Sequence, residues 1–99
     1  MLKQAHVYIK GDVIGVGFRA WTKIQAKILG VQGWVKNNFT NEHVFGSQGG
    51  VEVLLQAEEE NLEKILSLVK EGPPVSRVDD VEIFYQEPKE VFEDFQIRK

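Results

Sequence analysis

GDVIGVGFR, residues 11–19, lies between an alternating run, AHVYIK, and a segment with helical spacing, AWTKIQAKILG. A glycine-rich turn that feeds a helix leaves the first helical N–H groups without internal partners. Glycine reaches positive φ without steric cost, so successive N–H groups can converge into a concave nest for an anion. The helix dipole adds to that attraction. Arg19, placed just after the loop, carries a guanidinium that can grip two phosphate oxygens together. The parts point to a phosphate-like anion; the plain alternative is a glycine turn beside a solvated arginine.

Working outward, Val7 and Ile9 alternate with His6, Tyr8 and Lys10, as in a half-buried strand. From Phe18 to Leu29, Trp21, Ile24 and Ile28 recur at helical spacing, with Leu29 alongside, and predict the apolar stripe, with Gly30 as the stop. VQGWVKN predicts a second strand, with Val31, Gly33 and Val35 on one face and Trp34 on the other. GVEVLLQA predicts a third strand. Residues 58–71 predict a helix with a stripe of Leu62, Ile65, Leu66 and Val69, ended by Gly72-Pro73-Pro74. Val81, Ile83 and Tyr85 predict a fourth strand, with Asp79-Asp80 capping the turn before it, and FEDFQIRK a short fifth. The order is β-α-β-β-α-β with a strand appended. It predicts an α+β, ferredoxin-like two-layer sandwich: an antiparallel sheet with two helices on one face. Residues 38–50, NFTNEHVFGSQGG, are long for a hairpin connection and are expected to be a mobile excursion with a small strand around His43 to Phe45.

Ninety-nine residues suffice for one core, so the chain is expected to be a single domain, 1–99. A net charge of −3 argues against nucleic acid or anionic membrane as a partner. There is no cysteine, so neither disulfide nor thiol chemistry enters. No signal peptide or apolar span is visible, which leads to an expected cytoplasmic location and sets aside the sequon Asn38-Phe39-Thr40.

Two motif comparisons fail on chemistry. Gly15-Val16-Gly17-Phe18-Arg19-Ala20 fits GxGxxG/A, but that fingerprint needs an acid at the end of the next strand, where this chain has Asn37 and Asn38. A cysteine-dependent phosphatase loop needs a cysteine six positions before its arginine, where this chain has Val13. Any hydrolysis must therefore use water directly. His6 lies inside a strand and His43 in the long connection, so neither suits a general base, and no residues have metal-ligand spacing. Asn37, at a strand end, can orient water but cannot take its proton. A leaving group that departs unaided must be the anion of a moderately strong acid, such as a carboxylate with a parent pKa of roughly 4. Loop, Arg19 and Asn37 thus suit a carboxylic–phosphoric anhydride better than a phosphate ester. The alternative for Asn37 is a polar strand end satisfying a local turn.

These residues resemble the acylphosphatases. The family signature G-x-V-Q-G-V-x-F-R compares with G-D-V-I-G-V-G-F-R at 11–19, and G-W-V-x-N with G-W-V-K-N at 33–37. The resemblance extends through Gly72-Pro73-Pro74 and Phe95-Gln96-Ile97-Arg98 to nearly the whole chain. It implies hydrolysis of acyl phosphates to a carboxylate and inorganic phosphate, without cofactor or metal, by a cytoplasmic monomer. It also implies a phosphate cradle of Gly15, Val16, Gly17, Phe18 and Arg19, with Arg19 binding phosphate and Asn37 orienting water; Asn38 is expected to be dispensable. Ile14 departs from the family glutamine, and Asp12 brings a negative charge near the anion site. The alternative function is a non-catalytic phosphate-binding regulatory domain of the same fold. An RNA-binding sheet is disfavoured by the charge and by the aliphatic third strand.

Overall fold

Alternation along the strands and glycine at the helix ends produce the order β1 (Leu2–Asp12), α1 (Phe18–Leu29), β2 (Gln32–Asn38), α2 (Glu42–Phe45), β3 (Gly50–Glu58), α3 (Glu59–Glu71), β4 (Arg77–Gln86) and β5 (Phe95–Ile97). The structure is a computed structural model and describes residues 1–99. The sheet order is β4-β1-β3-β2-β5. β3 is antiparallel to both β1 and β2, so those two strands run the same way. The loop after β1 and the last residues of β2 therefore fall at one end of the sheet.

The expected α+β sandwich is present, with three differences. β5 pairs with β2 in parallel, through Gly33↔Phe95 and Val35↔Ile97, so the sheet is mixed rather than antiparallel. The segment around His43 is a one-turn helix, not a strand: Asn41 caps it, its side chain accepting from the Val44 amide at 3.3 Å. β4 begins at Arg77, so Asp79 and Asp80 are strand residues; Asp79 pairs with Arg77 at 2.9 Å and Asp80 with Lys10 at 3.6 Å. An edge strand keeps its outer backbone groups in water, which suits those charges.

One helical stripe reads correctly and the other only in part, since Trp21 and Leu29 of α1 pack partly buried against the core. Leu62, Ile65, Leu66 and Val69 of α3 are all buried. On α1 the buried residues are Phe18, Thr22 and Ala26, while Ile24 and Ile28 are 56% and 72% exposed. Thr22 can lie inside because its hydroxyl donates to the Phe18 carbonyl at 2.8 Å. Gly30 ends α1 in the left-handed conformation, φ 67°, its N–H reaching Ala26 and Lys27 carbonyls.

Between helices and sheet lies one apolar cluster that includes Val7, Ile9, Val35, Val53, Leu55, Ile65 and Val69. The opposite, open face is mixed, with Tyr8, Trp34 and Leu54 standing among His6, Glu52 and Gln56. Fully buried Gln56 donates to Gln4 Oε1 at 2.7 Å and to the Glu90 carbonyl at 2.6 Å, and accepts from the Phe92 amide at 3.0 Å. These bonds tie the 87–94 segment across the sheet. Trp34 packs on this face, not in the main core, with the Arg98 guanidinium 5.3 Å from its ring centre. The 38–50 connection also docks there: Phe45 is buried, its ring 5.6 Å from that of Tyr8.

Candidate active site

β1 leaves the sheet through a bulge. Its register with β4 slips between Lys10 and Gly11, and Gly11 has φ 134° with the Arg77 carbonyl and Asp79 amide where a Cβ would stand. Only glycine tolerates both the angle and that approach. Val13 then dives into the core, 1% exposed, and Phe18 re-enters it equally buried, so the intervening loop is pinned at both ends. Gly15 and Gly17 have φ 74° and 80°, and neither would meet an atom within 4 Å through an added Cβ. Their glycine requirement is thus conformational, and the backbone there stands open to a ligand. Gly17 is the N-cap of α1 and supplies no side-chain cap, so the first amides of this 12-residue helix keep their hydrogen-bonding capacity.

β2 brings the second element. Gly33, Val35 and Asn37 share the helix-side face, and Val35 is fully buried. Two residues further along that face, where the core ends, Asn37 emerges opposite Val51 of β3. A cavity of about 180 Å³ at this end of the sheet is lined by Val13, Gly15, Gly17, Phe18, Arg19, Ala20, Asn37 and Ile97. Gly15, Gly17, Phe18, Arg19 and Asn37, taken from two motifs almost twenty residues apart, meet there. Val16 is not in the lining and packs its side chain against the core. Neither the Arg19 nor the Asn37 side chain is held by an ion pair or hydrogen bond within the protein.

That volume is below the roughly 300 Å³ at which drug-sized ligand sites begin. It suits a small anion whose remaining bulk stays outside. The larger cavity, about 680 Å³ on the open face beside Trp34 and Phe92, contains neither the glycine loop nor Asn37. Size alone would pick the wrong place.

Sequence reasoning missed Ile97. It stands 41% exposed at the rim, brought beside Val35 by the parallel β5 pairing that periodicity could not show. Ile14, expected beside the cradle, is partly buried against the core. Asp12 is aligned with Arg77 across β1 and β4. The Arg77 guanidinium is held above its usual pKa by its hydrogen bond to Asp79 and that residue's charge, with Asp12 adding to the effect.

The acylphosphatase family profile matches residues 5–97. An acylphosphatase of Pyrobaculum islandicum is 39% identical over 94 residues, covering 95% of this chain and 92% of the relative. The crystal structure of acylphosphatase from Bacillus subtilis superposes with a TM-score of 0.86 at 32% identity, all of each chain being covered. The acylphosphatase structure from Coxiella burnetii gives 0.85 at 31% identity, over 98% of this chain and 93% of the other. No helix here is long and apolar enough to cross a membrane. From its two motifs, its sheet topology and these matches, the chain belongs to the acylphosphatase family and is an enzyme that hydrolyses acyl phosphates.

Proposed function

We propose that the loop amides from Gly15 to Phe18 and the Arg19 guanidinium hold the phosphoryl group, while Asn37 orients the attacking water. The observation that carries this is the single small cavity shared by Gly15, Gly17, Phe18, Arg19 and Asn37. Arg19 and the amides stabilise negative charge gathering on the equatorial phosphoryl oxygens. Asn37 accepts one hydrogen bond from water and aims its oxygen at phosphorus, in line with the acyl oxygen. The bond from phosphorus to the acyl oxygen breaks, the carboxylate leaves with the bonding pair, and the water proton passes to the phosphate. Ile97, half-exposed at the rim, offers an apolar wall to the acyl side.

Metal-independence is part of that scheme, in which no step calls for a metal. The same reading takes residues 1–99 as one domain acting as a cytoplasmic monomer. Hydrolysis of benzoyl phosphate, followed by ultraviolet absorbance with EDTA present, tests the roles. Arg19→Ala is expected to lose about 10²–10³-fold in kcat/KM, with inhibition by inorganic phosphate abolished. Asn37→Ala is expected to lose a similar factor in kcat, with phosphate inhibition retained. A folded wild type that binds phosphate without turnover would instead indicate an anion-binding domain.

A further inference from the structure

Glu52 is the only charged residue among the buried ones, at 7% exposure, and the proposed chemistry does not use it. It sits on the open face of β3, on the far side of the sheet from the cavity. A buried carboxylate is costly unless its oxygens are taken up. Its Oε2 lies 2.6 Å from His6 Nε2, and its Oε1 accepts from Asn38 Nδ2 at 2.9 Å with Lys36 Nζ at 3.8 Å.

The Asn38 contact is the one that reaches the site. Asn38 follows Asn37 and points to the opposite face. Its Oδ1 accepts from the Thr40 amide at 2.9 Å, the Thr40 hydroxyl at 3.1 Å and the Asn41 amide at 3.2 Å. One end of the Asn38 amide is thus fastened to β3 and the other clamps the turn that leaves β2. The strand needs such a fastening here. Pairing with β5 ends at Val35↔Ile97, apart from the Arg98 amide bond to the Val35 carbonyl, so Asn37 and Asn38 have a sheet neighbour only in β3.

We infer that Glu52 and Asn38 are positioning residues for Asn37: together they fix the end of β2 so that the Asn37 amide stays aimed into the cavity. The inference rests on the water-orienting role proposed for Asn37. Asn38 would then be far from dispensable, although it touches no substrate.

A reversal of polarity tests it. Asn38→Asp places a carboxylate against Glu52 and removes the donor. Adding Glu52→Gln restores a donor, now from residue 52, and leaves an oxygen for His6. With benzoyl phosphate, Asn38→Asp is expected to lower kcat at least about 10-fold, since small misplacements of a catalytic group cost factors of this order. KM and inhibition by inorganic phosphate should hold, because the loop and Arg19 are untouched, and the double variant should recover kcat to within about 3-fold of wild type. Asn38→Ser breaks the reach to Glu52 without adding charge and is read in the same way if Asn38→Asp does not fold. Unchanged kcat in the single variant, or a folded double variant that fails to recover, overturns the inference. Asn37→Ala run alongside separates the two ideas. If it loses rate while Asn38→Asp does not, only the positioning role falls; if it keeps full rate, the role of Asn37 falls and the inference with it.

Discussion

The two faces of the sheet are closed by different physics. On the helix side, Ala5, Val7, Ile9, Val51, Val53 and Leu55 are fully buried under two helices. On the open side no helix longer than one turn is available, and the cover consists of two connections, 38–50 and 87–94. Gln56 and Glu52 fasten them, by bonds to Glu90 and Phe92 and by the bond to Asn38. Of the four buried polar residues, Gln4, Glu52 and Gln56 belong to the open face and only Thr22 to the other. A helix satisfies its own backbone and can be covered by non-directional burial. An irregular segment carries unpaired amides and carbonyls that must find partners on the surface it covers. Buried polar side chains therefore gather beneath the loops, beside apolar Trp34 and Leu54, while positions beneath the helices are filled for volume.

Paired substitutions on β3 test that contrast. Leu55→Ala, at a fully buried helix-side position, should lower global stability by about 3 kcal/mol in urea denaturation. Its neighbour Gln56→Leu strands the Gln4 oxygen, the Glu90 carbonyl and the Phe92 amide, and should cost about 2 kcal/mol. Hydrogen exchange should additionally rise first in residues 87–94 for Gln56→Leu, and not for Leu55→Ala. Equal protection of that segment in both variants would mean that apolar contact, not Gln56, holds the cover.

Thr22→Val should cost under about 1 kcal/mol. The Phe18 carbonyl already has its helical partner, so the hydroxyl bond is supplementary on this side. A larger loss would show the helix side depending on directional bonds too. The smallest effect concerns Tyr8, whose phenol is held above its ordinary pKa by burial first and then by the charges of Glu52 and Glu82. The folded state keeps that proton longer than the unfolded chain does, so the stabilisation is complete below about pH 10 and fades as pH rises through the folded value. Alkaline titration of phenolate absorbance should show one of the two tyrosines ionising late, and Glu52→Gln should bring it earlier.

The site was more legible than its surroundings. The expectation of an anion loop at Gly15, Gly17 and Arg19 came from positive φ and a guanidinium, which are properties of the residues themselves. The stripe of α3 was legible because bulky residues fill its whole inner face. The stripe of α1 was legible only in part: Trp21 and Leu29 do pack against the core, but Thr22 and Ala26 carry little hydropathy signal, and Ile24 and Ile28 mimic a core face while standing in water. Closeness to the sheet, rather than hydrophobicity, selects small residues there. Similarly, EHVF was expected to extend because its valine and phenylalanine favour strands, whereas the Asn41 cap and the docking of Phe45 on Tyr8 turn it into a helix.

The residues alone were enough for the order of the five strands and two long helices and for the glycine turn before α1, since backbone freedom and side-chain chemistry are local. Tertiary structure alone decided that Asn37 meets the loop across an intervening strand. It also decided that β5 runs parallel and sets Ile97 at the rim, and that Glu52 reaches Asn38 behind the site. Each depends on which strands become neighbours, and that choice is made by burial summed over the whole chain.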